Sequence, residues 1–404
     1  MITPRALLAN EAGGGRGHVT TLRAAAKALG PDVRIIAALA RQHYADELAD
    51  LCEKVVKAPL LARPVGTVGE MGLPGSATWG DVLAAIGLAS DHKIRRGLAF
   101  WRKLIVDEDI SLLIADFSPL ALRAALGLRD EGWAIRIISI GTGYLVPPAH
   151  IDRFPLFLND YSTVFHSEAA TLTLLNAVGA ESGLAPLPRL AALYDVDLSL
   201  VTTFDFLDPY GADRDPEDLT GCHTAAPQAL AGEGTEVFVY FSTDELTDDA
   251  LVVALEGLSL PRRGYVPSAS PEVRARLAAS GMTLLDHPAS ADEIARRSRL
   301  IVHAAPHGTV CLAALCGLPQ VGVPQHLEQL FNARCAEAKG ILRIGRRGDP
   351  GLGAKIAAAY ADVGLRDRAL AVATELRRDY PGDPQAVLAA RLARQVQAAR
   401  DTLA

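Results

Sequence analysis

The stretch from Leu300 to Val323 admits few folds. Leu300-Ile301-Val302 is a run of large apolar side chains with no polar face, as a strand covered on both sides shows. A Gly-containing turn follows, His303-Ala304-Ala305-Pro306-His307-Gly308-Thr309, and then a helical run, Val310 to Leu315. After Gly317-Leu318-Pro319 comes a second short apolar strand, Gln320 to Val323. The first backbone N–H groups of such a helix lack internal partners, and its dipole adds partial positive charge there. A phosphate is a natural guest at that point. Gly308 removes a side chain so that an anion can reach the backbone, and the Thr309 hydroxyl can donate one more hydrogen bond. Beyond Pro324 the polar loop carries Glu328-Gln329, a carboxylate beside an amide, which suits the hydroxyls of a sugar.

The N-terminal half repeats the pattern. Ala6 to Ala9 is a brief apolar strand, followed by Glu11-Ala12-Gly13-Gly14-Gly15-Arg16-Gly17-His18. The next helix shows Val19, Leu22, Ala25, Ala26 and Leu29 on one face and stops at Gly30-Pro31, before a strand from Val33 to Leu39. This alternation predicts parallel βαβ units, whose chemistry gathers at the carboxyl ends of the strands. His18 sits at such an end. The glycines do not supply the third Gly of a dinucleotide fingerprint. A solvent-exposed or capping histidine is the plain alternative.

Arg41 to Val56 reads as a helix and a short strand, Leu60 to Thr78 as a Gly- and Pro-rich loop, and Trp79 to Leu104 as helical with Trp101 in the core. Ile110 to Ala115 is a buried strand that ends in Asp116, and Asp116-Phe117-Ser118-Pro119 opens a helix. Asp116 can hold His18 in one tautomer and stabilise its imidazolium, or it can cap the helix. Ile135 to Ile140 is a further strand, ending in Gly141-Thr142-Gly143-Tyr144. Asp195-Val196-Asp197 has metal-ligand spelling but directly precedes the apolar run Leu198 to Val201, so it reads as the start of a strand.

The C-terminal stretch resembles the nucleotide-sugar signature of GT-B glycosyltransferases, especially the inverting family of plant and antibiotic-tailoring sugar transferases. The matching residues are Gly308-Thr309, Gly317-Leu318-Pro319, Pro324, Glu328-Gln329 and Asn332-Ala333, with Gly17-His18-Val19 in the first half. The resemblance spans nearly the whole chain. It implies an α/β fold of two Rossmann-like domains facing a cleft, and inverting, metal-independent transfer of a sugar from a nucleoside-diphosphate sugar to an acceptor hydroxyl. His18 would be the base and Asp116 its orienter. Ser242, Thr243, His287, His303, His307, Gly308, Thr309, Glu328 and Gln329 would bind the donor. Gly17, Gly143 and Tyr144, with Phe154, would line the acceptor site. No cofactor is implied; the co-substrate would carry UDP or dTDP.

The 404 residues suffice for two domains, and a net charge of −7 shows none of the basic excess of a nucleic-acid binder. Five scattered cysteines suit a reducing compartment, and no apolar run reaches membrane-spanning length. A cytoplasmic protein is the expectation, its partners a nucleotide sugar and a small-molecule acceptor, with homodimerisation an open question. Expected boundaries are an N-terminal domain over 1–207, a linker over 208–234 rich in Asp, Gly and Pro, a C-terminal domain over 235–380, and a last helix over 381–404 returning to the first domain.

Three departures from the family pattern fall on the diphosphate and ribose. Ala304-Ala305-Pro306 replaces His-Gly-Gly, Asp244 stands in the first phosphate turn, and Leu312 replaces a ribose-binding Glu. A nucleotide-sugar 2-epimerase and a non-catalytic relative that binds a ligand or a partner enzyme are the alternatives.

Overall fold

The structure is a computed structural model that describes residues 3–12, 16–62, 77–158 and 164–403. Gly13-Gly14-Gly15 and most of the expected Gly/Pro-rich loop lie outside the described residues. The chain divides into two units. One comprises the described residues up to His223 together with those from Gly382 onward, and the other runs from Thr224 to Pro381.

The first unit contains β1 (Arg5–Asn10), α1 (Arg16–Leu29), β2 (Arg34–Leu39), β3 (Lys54–Lys57), α2 (Trp79–Leu83), α3 (Asp91–Asp107), β4 (Leu112–Ala115), α4 (Pro119–Asp130), β5 (Arg136–Gly141), α5 (Glu168–Glu181) and β6 (Leu198–Val201). The second contains β7 (Glu236–Tyr240), α6 (Asp249–Glu256), β8 (Arg262–Tyr265), α7 (Pro271–Ala279), β9 (Thr283–Leu284), α8 (Ala291–Arg297), β10 (Ser298–His303), α9 (His307–Cys316), β11 (Gln320–Gly322), α10 (Leu327–Ala338), β12 (Leu342–Ile344), α11 (Leu352–Ala361) and α12 (Val363–Asp379). A last helix, α13 (Pro384–Leu403), belongs to the first unit.

Among the described residues the strands form two six-stranded sheets, ordered β3-β2-β1-β4-β5-β6 and β12-β11-β10-β7-β8-β9. Every pairing within them is parallel. Counted from its own first strand, each sheet has the doubly wound order of a Rossmann fold, with the order reversing between β1 and β4 in one and between β7 and β10 in the other.

The inner strands are apolar throughout because helices cover both faces. Leu7, Leu8, Ile36, Leu113 and Ile114 are fully buried, as are Val237, Val239, Ile301 and Val302. Helix α1 turns the five side chains read from the sequence into the first core, where Leu388, Leu392 and Val396 of α13 join them. Two details differ from expectation. The helix expected after Arg41 is only a 3-10 turn, Gln42–Glu47, with no buried residue to hold a longer one. Strand β8 starts at two arginines, which the pattern did not predict; Arg263 is buried because Glu236 lies 2.9 Å from its guanidinium.

Candidate active site

In the first unit the switch point brings two strand ends together. β1 leads through Glu11 to α1, and β4 leads into the Asp116 turn. His18, in the first turn of α1, places Nδ1 3.1 and 3.2 Å from the two carboxylate oxygens of Asp116. Asp116 is buried, whereas the His18 side chain is 19% exposed. A carboxylate only accepts, so Nδ1 is the donor and Nε2 is the ring's base atom.

The capping reading of Asp116 does not hold. α4 is capped at Ser118 without a side-chain bond. Its first amides go instead to Glu11 Oε2, from Leu120 at 2.8 Å and Ala121 at 3.4 Å, while the Trp101 indole donates to the other oxygen. Burial pushes the Glu11 carboxyl up to about 8, against these donors, which favour the charged form. Asn10 Nδ2 donates to the backbone carbonyls of Asp116 (3.0 Å) and Ala12 (2.9 Å). Asn10 and Glu11 are not among the residues that the sequence pattern singles out. Their signal was the one that flagged Asp116, namely polar side chains where a buried strand stops.

Phe117 adopts φ of +48°, uncommon for a residue with a Cβ, and its ring lies 5.8 Å from His18. Trp79 packs on Phe117 at 5.1 Å and on Tyr144 at 5.2 Å, and Phe157 packs on Tyr144 at 4.5 Å. Tyr144 thus joins an aromatic cluster that reaches His18 through Phe117. Phe154 is buried too. Gly17 is exposed at the start of α1. Gly143 packs closely: a Cβ there would meet Asp208 Oδ1 at 2.5 Å, against the buried Asp208–Arg214 pair.

In the second unit β10 ends at His303, and α9 starts at His307 behind Pro306. Thr309 and Val310 donate to the Pro306 carbonyl at 3.0 and 3.1 Å. No acid lies in the first turn of α9. A Cβ built on Gly308 meets nothing within 4 Å, so this helix start faces open space. His307 lies 3.6 Å through Nε2 from Cys311 Sγ.

The two histidines of this turn part company. His303 is fully buried; its Nδ1 accepts from the Ala305 N–H at 2.8 Å, and its Nε2 faces Gln320 Oε1 at 3.0 Å. Burial lowers its pKa to about 4. Both nitrogens are engaged, so His303 holds the turn and is no donor ligand. What it holds is Ala305 at φ of +61°, where glycine is at ease. Asn332 Nδ2 supports the same residue by donating to the Ala305 carbonyl at 3.3 Å. The replacement of glycine by alanine therefore leaves a left-handed backbone in place.

Ser242 and Thr243 follow β7. The Thr243 N–H donates to Glu245 Oε2 at 2.7 Å, so a buried carboxylate occupies an amide of this turn. The sequence points to Asp244 in this turn, whereas the acid that closes it is Glu245. Gln329 Oε1 accepts from Gln325 N–H at 2.8 Å and shapes its own loop, while Glu328 beside it is partly exposed. His287 is exposed after the edge strand β9. Asp197 is structural, accepting from Ile137 N–H at 2.7 Å and pairing with Arg136 at 2.8 Å.

No family model matches this sequence, and no curated protein matches it. Solved structures do match. CalG4, the calicheamicin glycosyltransferase, superposes with a TM-score of 0.67 at 16% identity, over 99% of each chain. SsfS6, a glycosyltransferase of Streptomyces sp. SF2575 complexed with thymidine diphosphate, gives 0.62 at 20% identity, over 97% of this chain and 99% of that one. The spinosyn rhamnosyltransferase SpnG complexed with spinosyn aglycone gives 0.58 at 16% identity, over 97% and 100%. The chain thus has the GT-B fold of antibiotic-tailoring glycosyltransferases, two Rossmann-like α/β domains.

Proposed function

We propose that the protein is a glycosyltransferase that moves a sugar from a nucleoside-diphosphate sugar to a hydroxyl of a small-molecule acceptor, with inversion and without a metal. The observation that carries this reading is the His18–Asp116 pair at the switch point of the first sheet. His18 Nε2 takes the acceptor proton as the oxygen attacks the anomeric carbon. The carboxylate of Asp116 stabilises the imidazolium that forms. The nucleoside diphosphate leaves, and the open helix start at Gly308 and Thr309, with His307, stabilises its charge. Glu328 and Gln329 hold sugar hydroxyls. Ser242, Thr243 and His287 contribute to the donor site. Of the similar structures, one contains thymidine diphosphate and another spinosyn aglycone, which supports a nucleoside-diphosphate sugar as donor and a small-molecule acceptor.

The test has two parts. UDP or dTDP should raise the thermal midpoint, as any ligand of the native state does. His18→Ala should lower kcat by roughly 10³-fold while nucleotide affinity stays within about twofold. An equal loss of nucleotide affinity removes His18 from the role of base.

A second reading, a ligand-binding relative without turnover, is favoured by the Glu245 carboxylate on the Thr243 amide. Nucleotide binding without hydrolysis or transfer of any donor would select it.

A further inference from the structure

The carboxyl edge of the first sheet carries three more polar groups. Ser118 follows Asp116 after β4, Thr142 follows β5, and His223 lies beyond β6. The backbone sets the last placement. Leu219 bridges Val201 in parallel, and the Thr220 N–H donates to the Val201 carbonyl at 2.9 Å, so the chain runs past the end of β6 in the strand direction. Gly221 then turns it with φ of +72°, and Cys222 and His223 follow.

Ser118 Oγ, Thr142 Oγ1 and His223 Nε2 are buried, and none has a hydrogen-bond partner among the described residues. Folded proteins pair such atoms as a rule. Among the described residues of this unit the other orphaned atoms are guanidinium nitrogens of arginines bonded elsewhere, and His166 Nδ1, which faces Asp81 at 3.4 Å. The three exceptions follow adjacent strands; Ser118 lies two residues from Asp116, and His223 is close enough to feel the charge of Asp116. Burial lowers the His223 pKa, and the charge of Asp116 opposes that shift, so the ring senses Asp116 and is neutral at pH 7. A neutral imidazole can donate to, or accept from, a hydroxyl or carbonyl.

We propose that His223, with Thr142 and Ser118, recognises a second oxygen on the acceptor, next to the hydroxyl that attacks. This rests on the reading of His18 as base. The substrate class is an aromatic or otherwise apolar body bearing vicinal oxygens: its apolar part lies against Phe117, one oxygen meets His18, and its neighbour meets His223. These residues set specificity and take no proton from the reaction.

The test uses phenol and catechol as paired acceptors, with UDP-glucose and dTDP-glucose as donors. Catechol should exceed phenol in kcat/KM by about tenfold or more in the unaltered protein, because a site built for an oxygen penalises its absence. His223→Phe should collapse that ratio, Thr142→Val should reduce it, and His223→Gln should restore part of it. A ratio near one, or a ratio indifferent to His223→Phe, overturns the proposal. Should neither acceptor turn over, the ring nitrogen resonances of His223 are followed while catechol is added, and unchanged resonances also overturn it. Nucleotide binding and donor hydrolysis involve no acceptor, so they report separately on the underlying reading.

Discussion

The two units use one strand order for different ends. At the switch point of the first, a buried carboxylate and a half-buried imidazole face each other, and the buried carboxyl group of Glu11 accepts from the first amides of the helix that follows Asp116. At the switch point of the second, the buried imidazole of His303 is spent on an alanine in a left-handed conformation, and an acid closes one amide of the Ser242–Thr243 turn. One unit keeps a titratable group partly exposed beside its carboxylate partner. The other buries its charge or neutralises it and leaves a helix start open. The contrast shows that a shared scaffold fixes where polar groups gather, while the side chains that pair among themselves decide which stay available.

That contrast can be broken at four points. The largest effect is expected in the first unit. Asp116→Asn should lower kcat by roughly 10³-fold, since the amide no longer stabilises the imidazolium, and leave the thermal midpoint within a few degrees. A variant that turns over at the parental rate would reduce the pair to packing.

The next effect is on stability, in the second unit. His303 has a folded pKa of about 4 against an ordinary 6.5, so the unfolded chain takes the proton first. Its contribution is complete above pH 6.5 and is lost as pH falls towards 4, by roughly 3 kcal/mol in all. Denaturant unfolding between pH 7 and 4 measures the slope, and His303→Asn, which keeps an acceptor for the Ala305 N–H, should flatten it. An equal slope in both proteins would assign the acid sensitivity elsewhere.

Third, Gly308→Asp should weaken nucleoside diphosphate binding by roughly 30-fold, because the carboxylate takes the place of a phosphate at the dipole. Stability should hardly change, as the new Cβ meets nothing. Calorimetry decides; unaltered affinity would move the diphosphate away from α9.

The smallest effect is at Glu245. Glu245→Gln removes a negative charge from the first turn and should tighten nucleotide binding by roughly fivefold. Weaker binding would mean that the acid serves the ligand instead of repelling it.

Much of this was legible in the sequence, and the reason is physical. Parallel strands covered on both faces read as unbroken apolar runs, so the inner strands and the residues where they stop could be placed by eye. His18, Asp116 and Gly308 were found because they stand at such stops. Pairing was not legible. Nothing in the spelling of His303 and His307 tells which ring turns inward, since that depends on Gln320 in a neighbouring strand and on the path of Ala305. Glu245 is not legible either, because an acid five residues past a strand end looks solvated until its own backbone folds over it. His223 was read only as part of a spacer, for the parallel bridge between Leu219 and Val201 joins segments with no shared pattern.

The return of α13 to α1 has a consequence for synthesis. Leu22, Ala25 and Leu29 near the amino terminus share one core with Leu388, Leu392 and Val396. The strands of the first sheet cover part of that face early in translation, but the part that α13 covers waits for residues 384–403, by which time residues 224–381 have been made. A stop codon at position 382 would therefore strip part of the core of the first unit while leaving residues 224–381 complete.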